Sequence, residues 1–143
     1  KQKQKEIERR KLSELTTLTK LEILPFVFRN SNPAIFGVKV VSGLLTREIE
    51  LINNQNQKIG RVKALQEEKN SIKQAEKGKE IAISVSGVNF ERQLNTCQVL
   101  YSNISEFQFR KFKEHKDLLS SEEKAILKEI AIIKRKFKDT WGI

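Results

Sequence analysis

Cys97 and His115, the single cysteine and single histidine of this chain, are the first candidates for chemistry. A thiol becomes a nucleophile when a base is held beside it, and His115 lies in a charged helical stretch, not near Cys97. Cys97 has no partner for an internal disulfide and reads as a small buried hydrophobe just ahead of a strand. One Cys and one His leave only carboxylates to complete a metal site, and none of these cluster at ligand spacing. Glu67-Glu68 is an adjacent carboxylate pair in a Lys-rich loop, which reads as a solvated turn rather than an acid–base couple. Gly78-Lys79-Glu80 lacks both the preceding glycine and the following hydroxyl of a phosphate-binding loop. No catalytic residue and no metal are therefore expected. What remains is binding chemistry. Arg61, Lys63, Lys69, Lys73, Lys77, Lys79 and Arg92 lie along strand ends and loops, where cations meet phosphates.

The balance of charge points the same way. Among 143 residues, 28 Lys and Arg stand against 18 Asp and Glu, a net charge of +10. Such a surplus favours polyanionic partners, nucleic acid first. It is spread out: residues 1–20 hold seven basic and three acidic groups, and residues 121–143 six and four. Apolar residues make up 38% of the chain and recur in periodic segments, as a folded domain requires. No apolar run approaches the ~20 residues that span a bilayer, and no signal peptide is recognisable. A cytoplasmic, monomeric protein is expected. The absence of methionine, even at position 1, leads to the expectation of a domain from a longer polypeptide.

The elements that must position these residues are mostly extended. Leu21–Phe28, Asn32–Gly43, Glu48–Ile52, Lys58–Leu65, Ala75–Val85 and Gln98–Tyr101 are short β-branched stretches bounded by turn formers, spaced as a small antiparallel barrel requires. Pro25 marks an edge or a bulge, because it cannot donate to a ladder. Gly43 is expected to end its strand, 67–71 to be a charged loop, and Asn53–Gln57 a polar hairpin tip. Residues 1–15 are charged helix formers with a Glu6–Arg10 pair one turn apart. The period changes after residue 104. Ser105-Glu-Phe-Gln108 and Ser120-Ser-Glu-Glu123 fit capping boxes. Each opens a helix, the first ending near Asp117 and the second carrying an apolar stripe of Ile126, Ile130, Ile133 and Phe137. The expected fold is mostly β with α: a connecting helix (1–15), a closed antiparallel β-barrel (16–104) and two C-terminal helices (105–143) packed on it.

Specific wording supports a resemblance. Gly37-Val-Lys-Val-Val-Ser-Gly43, then Gly60-Arg-Val-Lys-Ala-Leu65, Ala75-Glu-Lys-Gly-Lys-Glu-Ile-Ala-Ile83 and Val99-Leu-Tyr101 follow in the order of the second-domain barrel of translational GTPases. With Phe26–Gly43 and the flanking helices, the chain resembles the C-terminal domain (domain IV) of archaeal-type translation initiation factor 5B, related to bacterial initiation factor 2. The resemblance implies a non-catalytic module of a ribosome-bound GTPase, whose GTP and Mg belong to another domain. It implies binding of the methionylated 3′ CCA end of initiator tRNA in support of ribosomal subunit joining. The pocket it implies lies beside Gly37-Val38, Gln66-Glu67 and Gly78-Lys79, with Val38 or Ile35 against the methionyl group. Phe90-Glu91-Arg92-Gln93-Leu94 is similar to the F-G-R-H-[FV] of eukaryal members and implies that Arg92 approaches the tRNA end; Glu91 and Gln93 depart from that pattern.

Two other functions fit the residues. In the resembled family the C-terminal helices dock the tail of initiation factor 1A, which would place Phe112, Leu118, Leu119, Ile133 and Trp141 along a groove. Trp141 fits equally an exposed anchor and a lid on the core. A generic rRNA-binding barrel would ignore the aminoacyl group and lose affinity steeply with salt.

Overall fold

The computed structural model describes residues 17–94 and 98–143. The expected connecting helix (1–15) and Cys97 lie outside the described residues. Eight strands follow one another: β1 (Thr19–Arg29), β2 (Ala34–Thr46), β3 (Glu50–Asn53), β4 (Lys58–Glu67), β5 (Asn70–Ile72), β6 (Gln74–Glu76), β7 (Glu80–Ser86) and β8 (Val99–Ser102). A single π-helical turn, Phe90–Leu94, stands between β7 and β8. Helices α1 (Glu106–Glu114) and α2 (Ser121–Arg135) close the order, joined by a 3₁₀ turn at Lys116–Leu118.

All pairings are antiparallel, and the path β1-β8-β3-β4-β7-β2 returns to its start because β1 also pairs with β2. Alternation along the strands decides what lies inside. Leu21, Phe36, Val38, Val40, Leu51, Val62, Leu65, Ile83, Val85 and Leu100 are buried together in one core. The alternate residues Ile52 and Tyr101 fall on the other side of the sheet. There, with Leu18, they join Phe109 and Phe112 of α1 and Ile126, Ile130 and Ile133 of α2 in a second core. Consecutive residues of β3 and β8 thus serve two cores, which ties the helices to the sheet.

Several boundaries differ from the sequence reading. Gly43 does not end β2. It adopts φ +80°, and β2 runs on through it to Thr46, where it pairs with β6. The Cβ of any other residue at position 43 would come within 2.0 Å of the Leu18 carbonyl oxygen, so close backbone approach demands glycine there. The stretch 67–71 is not a loop: Glu67 ends β4, Asn70 and Ser71 begin β5, and Glu68-Lys69 alone make the tight turn between them. Ala75–Val85 divides into β6 and β7. Pro25 does mark a bulge. Ile23 pairs with Val38 and Val27 with Phe36, so Leu24, Pro25 and Phe26 together span the single residue Gly37.

Both capping boxes form. Ser105 accepts from the Gln108 N–H and Ser120 from the Glu123 N–H, while each partner side chain accepts the cap residue's own N–H. The apolar stripe of α2 holds at Ile126, Ile130 and Ile133 but fails at Phe137, which is 63% exposed. The helix ends at Arg135, so the residue two positions on no longer obeys its period. The chain then turns back: Trp141 is buried, its ring 4.8 Å from that of Phe109. Trp141 is therefore a lid on the second core.

Candidate functional site

The outer face of the sheet carries an apolar hollow of about 500 Å³. Its floor follows from register. Gly37 of β2 pairs with Ala82 of β7, and Ala82 with Gln66 of β4, so two of the smallest residues lie side by side on the outward face. An ideal Cβ on Gly37 would stand 3.4 Å from the Cβ of Phe26 and 3.5 Å from that of Leu24. Glycine here lets the β1 bulge lean across the sheet. Leu24, Phe26, Phe28 and Ile35 make the apolar walls, and Gln66, Glu68, Lys69 and Glu80 the polar rim. Phe26 and Phe28 remain 57% and 68% exposed, so a ligand entering the hollow would remove a large apolar area from water.

The rim is held by an unusual turn. Glu68 and Lys69 both have positive φ, 49° and 73°, where a two-residue hairpin ordinarily carries Asn-Gly. Beside them Lys79 donates to Glu67 at 3.0 Å. That hydrogen bond and the charge of Glu67 push the Lys79 ammonium above its usual range, with smaller help from Glu76 and Glu68. Both groups are solvated, so the pair orders the rim rather than stabilising the fold.

The seven residues expected to contact tRNA divide among five places. Gly37 and Gln66 line the hollow. Glu67 and Lys79 form the ion pair beside its rim. Val38 is fully buried and points into the first core, leaving its neighbour Ile35 as the wall residue. Gly78 sits in the exposed turn between β6 and β7. Arg92 is exposed on the π-helical turn. That turn is anchored to the end of β1, since the Phe90 and Glu91 N–H groups donate to Asn30 and the Phe90 ring packs 5.1 Å from Phe36. Arg92 makes no ion pair with Glu91 or Glu80 among the described residues, and its guanidinium faces solvent. Leu24, Phe26, Phe28 and Ala82 were not singled out from sequence as pocket residues. A signal was present: Leu21 and Ile23 share one parity of β1, while Leu24, Phe26 and Phe28 share the other.

Of the other basic candidates, Arg61 meets Glu50 at 3.7 Å, Lys63 meets Glu48 at 3.4 Å, and Lys77 pairs with Glu122 of α2. Lys69 and Lys73 are exposed and carry no ion pair among the described residues. A second, polar depression of about 810 Å³ follows the seam between sheet and helices, lined in part by Arg47, Lys58, Arg61 and Lys134. Lys134 donates to Asn103 Oδ1 at 2.7 Å, and Asn103 in turn donates to Glu50. Burial, then repulsion from Lys58, lowers the Lys134 ammonium below its usual range.

The residues expected along a partner groove are mostly interior. Phe112, Leu119, Ile133 and Trp141 belong to the second core, with Leu118 half-buried against it. The large apolar side chains exposed on this side are Phe107, Ile132, Phe137 and Ile143. No group of three potential metal ligands exists among the described residues, and no helix there is long and apolar enough to cross a membrane.

Known proteins resemble this arrangement throughout. The family model described as elongation factor Tu domain 4 matches residues 18–101. A probable translation initiation factor IF-2 of Methanopyrus kandleri is 40% identical over 137 residues, covering 94% of this chain and 23% of that protein. The corresponding protein of Methanoculleus marisnigri is 38% identical over 143 residues, covering 99% and 24%. The crystal structure of GDP-bound aIF5B from Aeropyrum pernix matches with a TM-score of 0.87 at 36% identity, over 99% of this chain and 24% of that one. The chain thus spans about a quarter of the length of the relatives it matches.

Proposed function

This chain belongs to the elongation factor Tu domain 4 family, in the form carried by archaeal-type initiation factors 2 and 5B, and from that premise we propose that it holds the methionylated 3′ CCA end of initiator tRNA. It is a non-catalytic module of a ribosome-associated GTPase and supports subunit joining; GTP and Mg act elsewhere in the factor. The observation that carries this reading is the apolar hollow floored by Gly37 and Ala82 and walled by Phe26, Phe28 and Ile35. A methionyl side chain is an unbranched apolar thioether that adapts to such a surface. The unpaired bases of a tRNA end offer stacking faces to exposed phenylalanines, each contact worth about 1–3 kcal/mol. Lys69 on the rim, and Lys73 and Arg92 beyond it, supply unpaired cations for phosphates. Because the π-helical turn of Arg92 is tied to the end of β1, it presents this charge where the Phe26–Phe28 segment ends.

A titration of the chain against initiator tRNA, methionylated and uncharged, at two salt concentrations tests the reading. Tighter binding of the methionylated form, with the difference preserved at high salt, is the expected result. Equal binding that falls steeply with salt would reduce the domain to a generic rRNA surface. A second reading, docking of an initiation factor 1A tail on the C-terminal helices, is favoured by the exposure of Phe107, Ile132 and Phe137. Substituting those three with serine would abolish capture of that factor and leave tRNA binding intact.

A further inference from the structure

The polar depression along the seam between sheet and helices gathers more cations than the fold matches. It shares no lining residue with the apolar hollow. The hollow takes the start of β2 and the end of β4. The depression takes the end of β2 and the start of β4, about 25 Å further along the strands. Arg47, Lys58, Arg61 and Lys134 reach it from three separate parts of the chain, against Glu48 and Glu50. Glu48 is taken by Lys63, at 3.4 Å. Glu50 alone faces Arg61 at 3.7 Å and Lys58 at 4.0 Å, and it also accepts from Asn103. Arg47 is exposed and makes no ion pair among the described residues. Lys134 is the sharpest case. It is half-buried, and it donates to the neutral amide oxygen of Asn103 at 2.7 Å, with no ion pair among the described residues. Burial and Lys58 both act against its charge.

An anion in this depression would give several of these cations a counter-charge at once, in a partly enclosed site where charges interact more strongly than in bulk water. The lining decides which anion. The apolar residues among it, Ile49, Ile104 and Trp141, are all buried, so an acidic peptide would find no exposed apolar surface on which to anchor a side chain. The amides of Asn103 and Gln108 and the hydroxyl of Thr46 stand beside the cations instead. Amides, hydroxyls and cations together are the groups that meet phosphate and ribose oxygens. At about 810 Å³ the depression has room for a stretch of backbone rather than a single phosphate. We propose that it holds the phosphate backbone of an RNA segment, independently of any 3′ end, through Arg47, Lys58, Arg61 and Lys134. The domain then carries two RNA contacts, one at the hollow and one at the seam. This second contact stands on its own cavity and does not require the function proposed above.

The probe is a short RNA hairpin with no CCA end, titrated against this chain at several salt concentrations. Two variants alter the site: K134Q, which can still donate to Asn103, and R47Q/K58Q, whose exposed side chains lie outside both cores. K113Q/K116Q removes two exposed charges around the C-terminal end of α1 and controls for net charge. Thermal unfolding establishes that each variant is folded; should K134Q not fold, R47Q/K58Q decides alone. R47Q/K58Q is expected to bind the hairpin about ten-fold more weakly, with a salt slope of log K lower by about two. K134Q is expected to lose about five-fold and about one unit of slope, and K113Q/K116Q less than about two-fold. Equal losses in R47Q/K58Q and K113Q/K116Q would show a response to net charge alone and overturn the proposal. So would a loss seen with uncharged initiator tRNA but not with the hairpin, or displacement of the hairpin by an Asp/Glu-rich peptide at matched charge. The hairpin carries no aminoacyl group, so a failure of the methionyl pocket leaves this result standing.

Discussion

Gly37 is where the smallest change has the clearest reading. Its missing side chain leaves the hollow open, and its Cβ position is only 3.4 Å from Phe26. Gly37→Val fills the floor, and we expect about ten-fold weaker binding of methionylated tRNA with uncharged tRNA unaffected, the range a shape change in an apolar pocket gives. Paired titrations with the two tRNAs read this directly. Arg92 lies outside the lining of the hollow and should behave differently. Arg92→Ala is expected to weaken methionylated and uncharged tRNA equally and to reduce the salt slope of log K by about one. An Arg92→Ala effect confined to the methionylated form would place this guanidinium at the aminoacyl group instead.

Element ends carry the next set of consequences. The α2 capping box satisfies N–H groups that the helix leaves open, so Ser120→Ala should cost about 1 kcal/mol in denaturant unfolding. Gly43 is less forgiving. Its positive φ and the 2.0 Å approach of a Cβ to the Leu18 carbonyl force β2 to shift against the start of β1. Gly43→Ala is expected to destabilise by roughly 3 kcal/mol, more than the strained φ alone, and the same unfolding experiment measures it. The β1 bulge at Leu24–Phe26 is an element-scale device of another kind, because it delivers Phe26 to the outward face over Gly37.

For the whole molecule, the decisive feature is two cores sharing strands. Leu51 and Leu100 face one core, while Ile52 and Tyr101 face the other. Lys20 adds a link, donating to Glu129 of α2 at 2.8 Å with the Tyr101 hydroxyl on the same carboxylate. Sheet and helices should therefore unfold in one transition. The fluorescence of Trp141, the single tryptophan, and the far-ultraviolet dichroism of the strands are expected to give the same midpoint. Separate midpoints would show the helices melting from a surviving sheet. Trp141→Ala opens the second core where the terminal turn lies on Phe109 and should cost roughly 3 kcal/mol.

The sequence by itself determined the order of strands and helices, the two capping boxes and the Pro25 bulge. These depend on neighbours in the chain, through alternation, turn residues and local side-chain hydrogen bonds. Two of the residues that line the hollow, Gly37 and Gln66, were reached through contiguous motifs. Tertiary structure decided the rest. That Gly37, Ala82 and Gln66 form one row, and that Phe26 rather than Val38 faces the outer hollow, follow from strand register across β1, β2, β7 and β4. Register is set by long-range pairing and by a bulge that shifts it, and a one-residue slip exchanges the inward and outward faces. The burial of Trp141 was decided in the same way. Its local sequence allows a lid and an anchor alike, and only the position of Phe109 makes it a lid.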